Sequence, residues 1–85
     1  MIKPTINLNG TSPERLFEDY HNASCAVNAA IDALASIEFH FRDYYPQDDK
    51  VFELARAQRV EQFTKLREIR DELREVAAYV SKFTA

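Results

Sequence analysis

The densest gathering of chemically capable side chains is the segment Phe39-His40-Phe41-Arg42-Asp43-Tyr44-Tyr45-Pro46-Gln47. Four of the ten aromatic residues fall within seven positions, beside a histidine, an arginine and an aspartate. Flat ring faces stack on planar ligands, and an arginine fork grips phosphate or carboxylate. Such a segment can bind a ligand or a partner. It can equally be an aromatic plug that closes the end of a helical bundle, with Arg42 and Asp43 fixing a turn. The residues alone leave both readings open.

Other constellations are weaker. Glu18 and His21 have the Glu-x-x-His spacing of di-iron bundle sites. Those sites also need inward glutamates from the remaining helices, and the nearest acids, Asp71 and Glu72, flank the core position Leu73 without replacing it. His21 therefore reads as a surface or boundary histidine. Cys25 follows His21 by four residues, on the same side of a helix, but no third group or helix N-terminus stands by to activate the thiol. There is no phosphate-cradling glycine loop and no zinc spacing. Arg67, Arg70 and Arg74 make a basic strip that Glu68, Asp71, Glu72 and Glu75 interrupt in sequence, which argues against duplex nucleic acid. No catalytic residue, metal or cofactor is expected.

The element that must position these groups is Asn22 to Ile37, sixteen residues with one charge, Asp32, and six alanines. Alanine is the strongest helix former, and a helix with almost no charge on any side is buried on most sides. Tyr20, Ser24, Val27, Ile31, Leu34, Glu38 and Phe41 form one stripe, with Leu16, Ala23, Ala30 and Ile37 beside it. Thr11-Ser12-Pro13-Glu14 opens this helix, either as a capping box on Thr11 or with Ser12 as N-cap and Pro13 in the first turn. Its end is expected near Phe41, because Pro46 pushes Tyr45 out of the helical region.

Asp48 and Asp49 suit the start of a second helix, running to about Phe83. Of the 28 residues from Asp48 to Glu75, 15 are charged, so most of its surface reads as solvated. Its apolar stripe is Phe52, Ala55, Phe63, Leu66, Ile69, Leu73, Val76, Val80 and Phe83, and Glu61–Lys65 and Arg67–Asp71 are i,i+4 pairs. Residues 1–10 form an extended arm with the period-two pattern of Ile6 and Leu8, laid over the helices or paired with the arm of another subunit. The expectation is all-α: one domain over 1–85, an antiparallel two-helix hairpin of about 12–41 and 48–83. With a connection of six or seven residues, facing numbers add to about 89, which sets Asp32 near Arg56 or Arg59. The second stripe of the alanine helix needs cover, so the hairpin is expected to pair with itself as a homodimer or higher oligomer.

The totals agree. Eighty-five residues make one small domain near the lower size limit for an independent core. A net charge of −3 gives no general attraction to nucleic acid or anionic membrane. The lone Cys25 excludes an internal disulfide and reads as a buried thiol in a reducing compartment. No membrane span or signal-peptide core is visible, which points to the cytosol.

The Asn-Leu-Asn-Gly-Thr-Ser opening at 7–12 and the Arg-Asp-Tyr-Tyr-Pro-Gln segment at 42–47 resemble a family of small helical accessory proteins from tailed-phage genomes. Phe39-His40-Phe41 stands where relatives tend to carry a Gly-containing turn. The resemblance implies a non-enzymatic protein acting in the host cytoplasm. Such proteins often blunt host defences by sequestering a nucleotide signal or binding a host protein. On that expectation a small anionic ligand, such as a cyclic nucleotide, is held where arm and bend of different subunits meet, by Asn7, Asn9, Thr11, His21, Arg42, Tyr44 and Tyr45. The alternative is a protein–protein inhibitor or assembly factor, acting through the aromatic bend or the charged second helix.

Overall fold

The computed structural model describes residues 1–44 and 47–85, with Phe41 and Asp49 placed by their backbones alone. Two helices dominate it, α1 over Pro13–Ala35 and α2 over Asp49–Ser81, with a 3-10 turn at Phe41–Tyr44 between them. The expected all-helical hairpin is present, and no strand occurs among the described residues. Of the two possible starts for α1, the Ser12 register is the one formed. The Ser12 hydroxyl oxygen accepts from the Arg15 N–H at 3.2 Å, and Pro13 occupies the first turn, where its missing donor costs nothing. Asp48 caps α2 in the same way, accepting from the Lys50 N–H at 2.9 Å.

The first helix stops six residues short of its expected end. Ser36 takes the cap position, and its hydroxyl donates to the Asp32 carbonyl at 2.9 Å. Beyond it, Ile37-Glu38-Phe39-His40-Phe41 is a β-branched and aromatic run of modest helix propensity. A continued helix would turn Phe39 about a quarter-turn away from the face that meets α2. Leaving the helix lets Phe39 stack on Phe52 instead, with centroids 5.1 Å apart.

The early stop changes the register. Asn28 accepts from the Arg70 guanidinium at 3.0 Å, and Glu14 lies 3.4 Å from the Ala85 backbone nitrogen. Facing residue numbers therefore add to 98 or 99, not 89. The expected pairing of Asp32 with Arg56 or Arg59 is not made. Asp32 is exposed, Arg56 lies 3.7 Å from Glu53, and Arg59 lies over the rings of Phe39 and Phe63. In this register Ala35 stands level with Phe63, so the first 14 residues of α2 project beyond α1 by about 21 Å at 1.5 Å per residue. The connection, residues 36–48, covers that projection.

Packing follows one stripe per helix. Ser24 and Ile31 are buried on α1, and Val76, Ala77 and Val80 on α2. Tyr20, Val27, Leu34, Phe63, Leu66 and Leu73 are half-buried along the same seam. The second stripe of α1 is open: Ala30 is exposed and Ile37 is 57% exposed. Ile69, expected in the core, is 46% exposed on the matching flank of α2. Cys25, expected to be buried, is exposed, because its position turns it away from α2. The Glu61–Lys65 pair forms at 2.9 Å, whereas Asp71 pairs with its neighbour Arg70 rather than with Arg67.

Two consequences are measurable by urea unfolding. Val76→Ala, which empties a fully buried site, should cost about 2 kcal/mol. Arg70→Ala, which orphans the Asn28 amide, should cost about 1 kcal/mol, while Asp32→Asn stays within about 0.5 kcal/mol. A large effect at Asp32 with none at Arg70 would restore the other register.

Candidate functional site

The bend is built on the projecting end of α2. Phe39 stacks on Phe52, and Tyr44 meets the edges of both, at 5.7 Å from each ring. Arg56 lies 5.0 Å from the Phe52 centroid, and Arg59 lies 5.3 Å from both Phe39 and Phe63. Rings and guanidinium planes thus alternate along this end, each cation drawn to a ring face by the ring quadrupole. Within one chain the plug is formed. It also leaves a cleft of about 190 Å³ between the bend and the end of α1, lined by Leu34, Ile37, Phe39, Tyr44, Gln58 and Arg59 among others. Of the residues proposed from sequence, Tyr44 borders this cleft, while Arg42 is exposed and not part of its lining. Tyr45 lies outside the described residues.

The arm lies at the other end. Lys3 Nζ donates to Glu75 at 3.0 Å and sits 5.8 Å from the Tyr79 ring, which ties the arm to the late turns of α2. Pro4 and Ile6 are half-buried there. Lys3 and the bend therefore meet α2 at positions as far apart as Glu75 and Phe52, about 34 Å along the helix axis. Asn7 is used internally: its side-chain oxygen accepts from the Asn9 N–H at 3.0 Å, and its carbonyl accepts from the Gly10 N–H at 3.2 Å. Gly10 suits this turn because a Cβ there would lie 3.2 Å from the Asn7 amide. Asn9 and Thr11 are exposed beside the turn. A single chain does not bring Asn7, Asn9 and Thr11 together with Arg42 and Tyr44.

His21 belongs to neither end. Its ring stacks on Phe17 at 5.6 Å, and its Nε2 lies 3.6 Å from Cys25 Sγ. Glu18 and His21 are both exposed, on the side of α1 away from α2. Among the described residues, no three histidine, cysteine or acidic side chains are gathered to hold a metal ion. No helix of the described residues is long and apolar enough to cross a membrane.

The residues that sequence reading missed are Phe39's partner Phe52 and the stacked Arg59. The signal was present in the i,i+4 spacing of Arg59 and Phe63, but the arrival of Phe39 depends on where α1 ends.

Two features emerge as candidates. One is the bend cleft with its stacked arginine. The other is a groove of about 740 Å³ between the helices, lined by Ala30, Ala33, Leu34, Ile37, Gln62, Lys65 and Leu66. The groove is almost wholly apolar apart from Gln62 and the Lys65 stem, the character of a surface that receives another helix.

The arm's tie is sensitive to acid. The Lys3 hydrogen bond and charge hold the Glu75 carboxyl below its ordinary value. A carboxyl lowered on docking favours the docked arm fully above its free value and loses that contribution as pH falls through the lowered one. Amides of residues 2, 3, 5 and 6 should gain fast motion on acidification below the usual carboxylate range, and Lys3→Ala should show that motion at neutral pH. An arm equally rigid in both conditions would show that Lys3 does not hold it. Compared with protein-family models, curated proteins and solved structures, the chain finds no match, so its functional reading rests on this geometry.

Proposed function

We propose that the chain is a non-enzymatic binding protein that works as an antiparallel homodimer or a higher assembly of such dimers. Its ligand is a small anion, of which a cyclic nucleotide is one example. The observation that carries this reading is the open apolar groove along Ala30, Ala33, Ile37 and Leu66. Ala26, Ala30 and Ala33 recur on α1 at spacings of four and three, the repeat of a helix–helix seam, with Ile37 just past the helix end beside them, and small side chains let backbones approach closely.

The exposed area points the same way. The chain exposes 6425 Å². A compact monomer of 9.9 kDa is expected to expose about 5,200 Å². The excess, about 1,200 Å², is what one partner contributes to a sizeable obligate interface. An antiparallel pair centred near Ala30 also sets the first turns of one α1 beside the bend of the other. That arrangement brings the arm residues Asn7, Asn9 and Thr11 toward the partner's Arg42 and Tyr44, whereas His21, nine residues before Ala30 and so half a turn round α1, faces away from the seam. The resemblance to tailed-phage accessory proteins supplies the setting, sequestration of a signal in an infected cell, and the sequence motifs alone carry that part.

A second reading has its own support. Ile69 on α2 and Phe83 just past its end are 46% and 47% exposed, and the groove would accept a helix of another protein as readily as a second copy. The proteins recovered with the purified chain separate the two.

Light scattering should give at least twice the 9.9 kDa chain mass at micromolar concentration. Ala33→Glu, which places a charge in the seam, should return the mass to one chain while leaving helix content intact. A wild-type chain that stays single removes the shared site. A melting temperature unmoved by a panel of nucleotides and cyclic nucleotides counts against the ligand class.

A further inference from the structure

The bend cleft holds a cation with no acidic partner. Arg15 bonds Asp19, Arg56 lies near Glu53, and Arg70 takes both Asp71 and Asn28. Among the described residues no carboxylate pairs with Arg59, although the chain carries 14 acidic residues against 11 basic ones. Arg42, Lys50, Arg67, Arg74 and Lys82 share this lack, but all five are exposed and none lines the cleft; only one face of Arg67 is covered, by Phe63 at 5.4 Å. Arg59 is half-buried, stacked near two rings at 5.3 Å each, and part of a cleft wall.

That arrangement leaves a definite chemistry. Rings attract the face of a guanidinium, but they do not accept its in-plane N–H groups, of which arginine has five. Stacking also fixes the side chain in advance, so little rotamer freedom is lost when the fork takes an acceptor. Around it the cleft supplies polar groups, the Gln58 and Gln62 amides, and an apolar wall of Leu34 and Ile37 next to the Tyr44 ring.

We propose that Arg59 is the anchor of an oxyanion site lying within a single chain. Its ligand is a compact molecule with a terminal phosphate or carboxylate and a small flat apolar body. A volume of about 190 Å³ is below the usual range of about 300–1,000 Å³ for drug-sized ligands, so the site takes a head group and one ring at most. The fork receives the oxyanion, the glutamine amides can donate to its remaining oxygens, and the ring lies against Leu34, Ile37 and Tyr44. This deepens the small-anion reading above but does not depend on subunits sharing the site.

The test is a titration of the ¹⁵N-labelled full chain with phenyl phosphate, benzoate, inorganic phosphate and, as the neutral control, phenol. The Arg59 Nε–Hε resonance should shift saturably with phenyl phosphate or benzoate, less with inorganic phosphate, and not with phenol. Saturation with phenyl phosphate alone marks the ligand head as phosphate, and saturation with benzoate alone marks it as carboxylate. Arg59→Gln should weaken binding by about ten- to hundredfold, the worth of a charge-assisted hydrogen bond. Arg59→Lys, which keeps charge but loses the planar fork, should weaken it by about tenfold. Ala26→Glu, which charges the same α1 stripe about 12 Å along the helix from Leu34, should bind as wild type, which separates this site from a pocket made by two chains. An unmoved Arg59 resonance in the wild-type chain overturns the proposal without reference to any variant. Equal binding by a folded Arg59→Gln chain overturns it too.

Discussion

Two helices lying side by side can each shield one stripe, and every other face of both remains in water. That constraint governs this molecule. Its fully buried side chains, Val76 and Val80, sit at the end where the arm adds a third segment through Lys3. Toward the other end, where α1 and α2 meet without the arm, the seam residues Leu34, Phe63 and Leu66 are only half-buried. A core of this size supplies little of what opposes chain entropy in a domain of 85 residues. The open stripe along Ala30, Ala33 and Ile37 is where further burial would offset that shortage.

The offset between the helices has a second effect. Because α1 ends at Ala35 while α2 begins well beyond that level, the projecting turns of α2 would stand bare without the connection. Phe39 and Tyr44 supply the missing wall, and Arg56 and Arg59 cover ring faces that would otherwise meet water. The plug and the cleft are thus one construction. A segment stabilising the helix end is also the segment that leaves space beside a stacked cation.

Much of this was legible in the residues. Ser12-Pro13 and Asp48 mark both helix starts because capping is local chemistry, decided within four residues. The seam on α1, from Tyr20 through Ser24, Val27 and Ile31 to Leu34, follows from periodicity alone. The end of α1 did not follow, since Ser36 and the aromatic run tolerate helix and are drawn out of it by Phe52, a tertiary contact. That error displaced the register, and with it the partners of Asp32, Arg56 and Arg59. Cys25 was misplaced for a related reason. A nearly uncharged helix was assigned burial on most sides, whereas one chain buries it on a single side. Of the proposed site, Tyr44 alone was traced to a cleft, because a cleft depends on where the connection folds back.

The charges of α2 show how a helix can hide order inside a run that reads as mixed. At 100° per residue, Arg56, Arg59, Phe63, Arg67, Arg70 and Arg74 fall within an arc of about 80°. Glu53, Glu61, Glu68, Asp71, Glu72 and Glu75 all fall outside it. In sequence these acids interrupt the arginines; on the helix they do not. Two salt bridges cross that boundary, Arg56 to Glu53 and Arg70 to Asp71, while Glu61 turns to Lys65 and Glu75 to Lys3, away from the arc. The arc runs from the bend toward the seam with Asn28, so its cations are joined to the cleft at Arg59 and not scattered over the surface. Arg59, Arg67 and Arg74 are the cations of the arc with no carboxylate pair among the described residues, and of these only Arg59 lines the cleft.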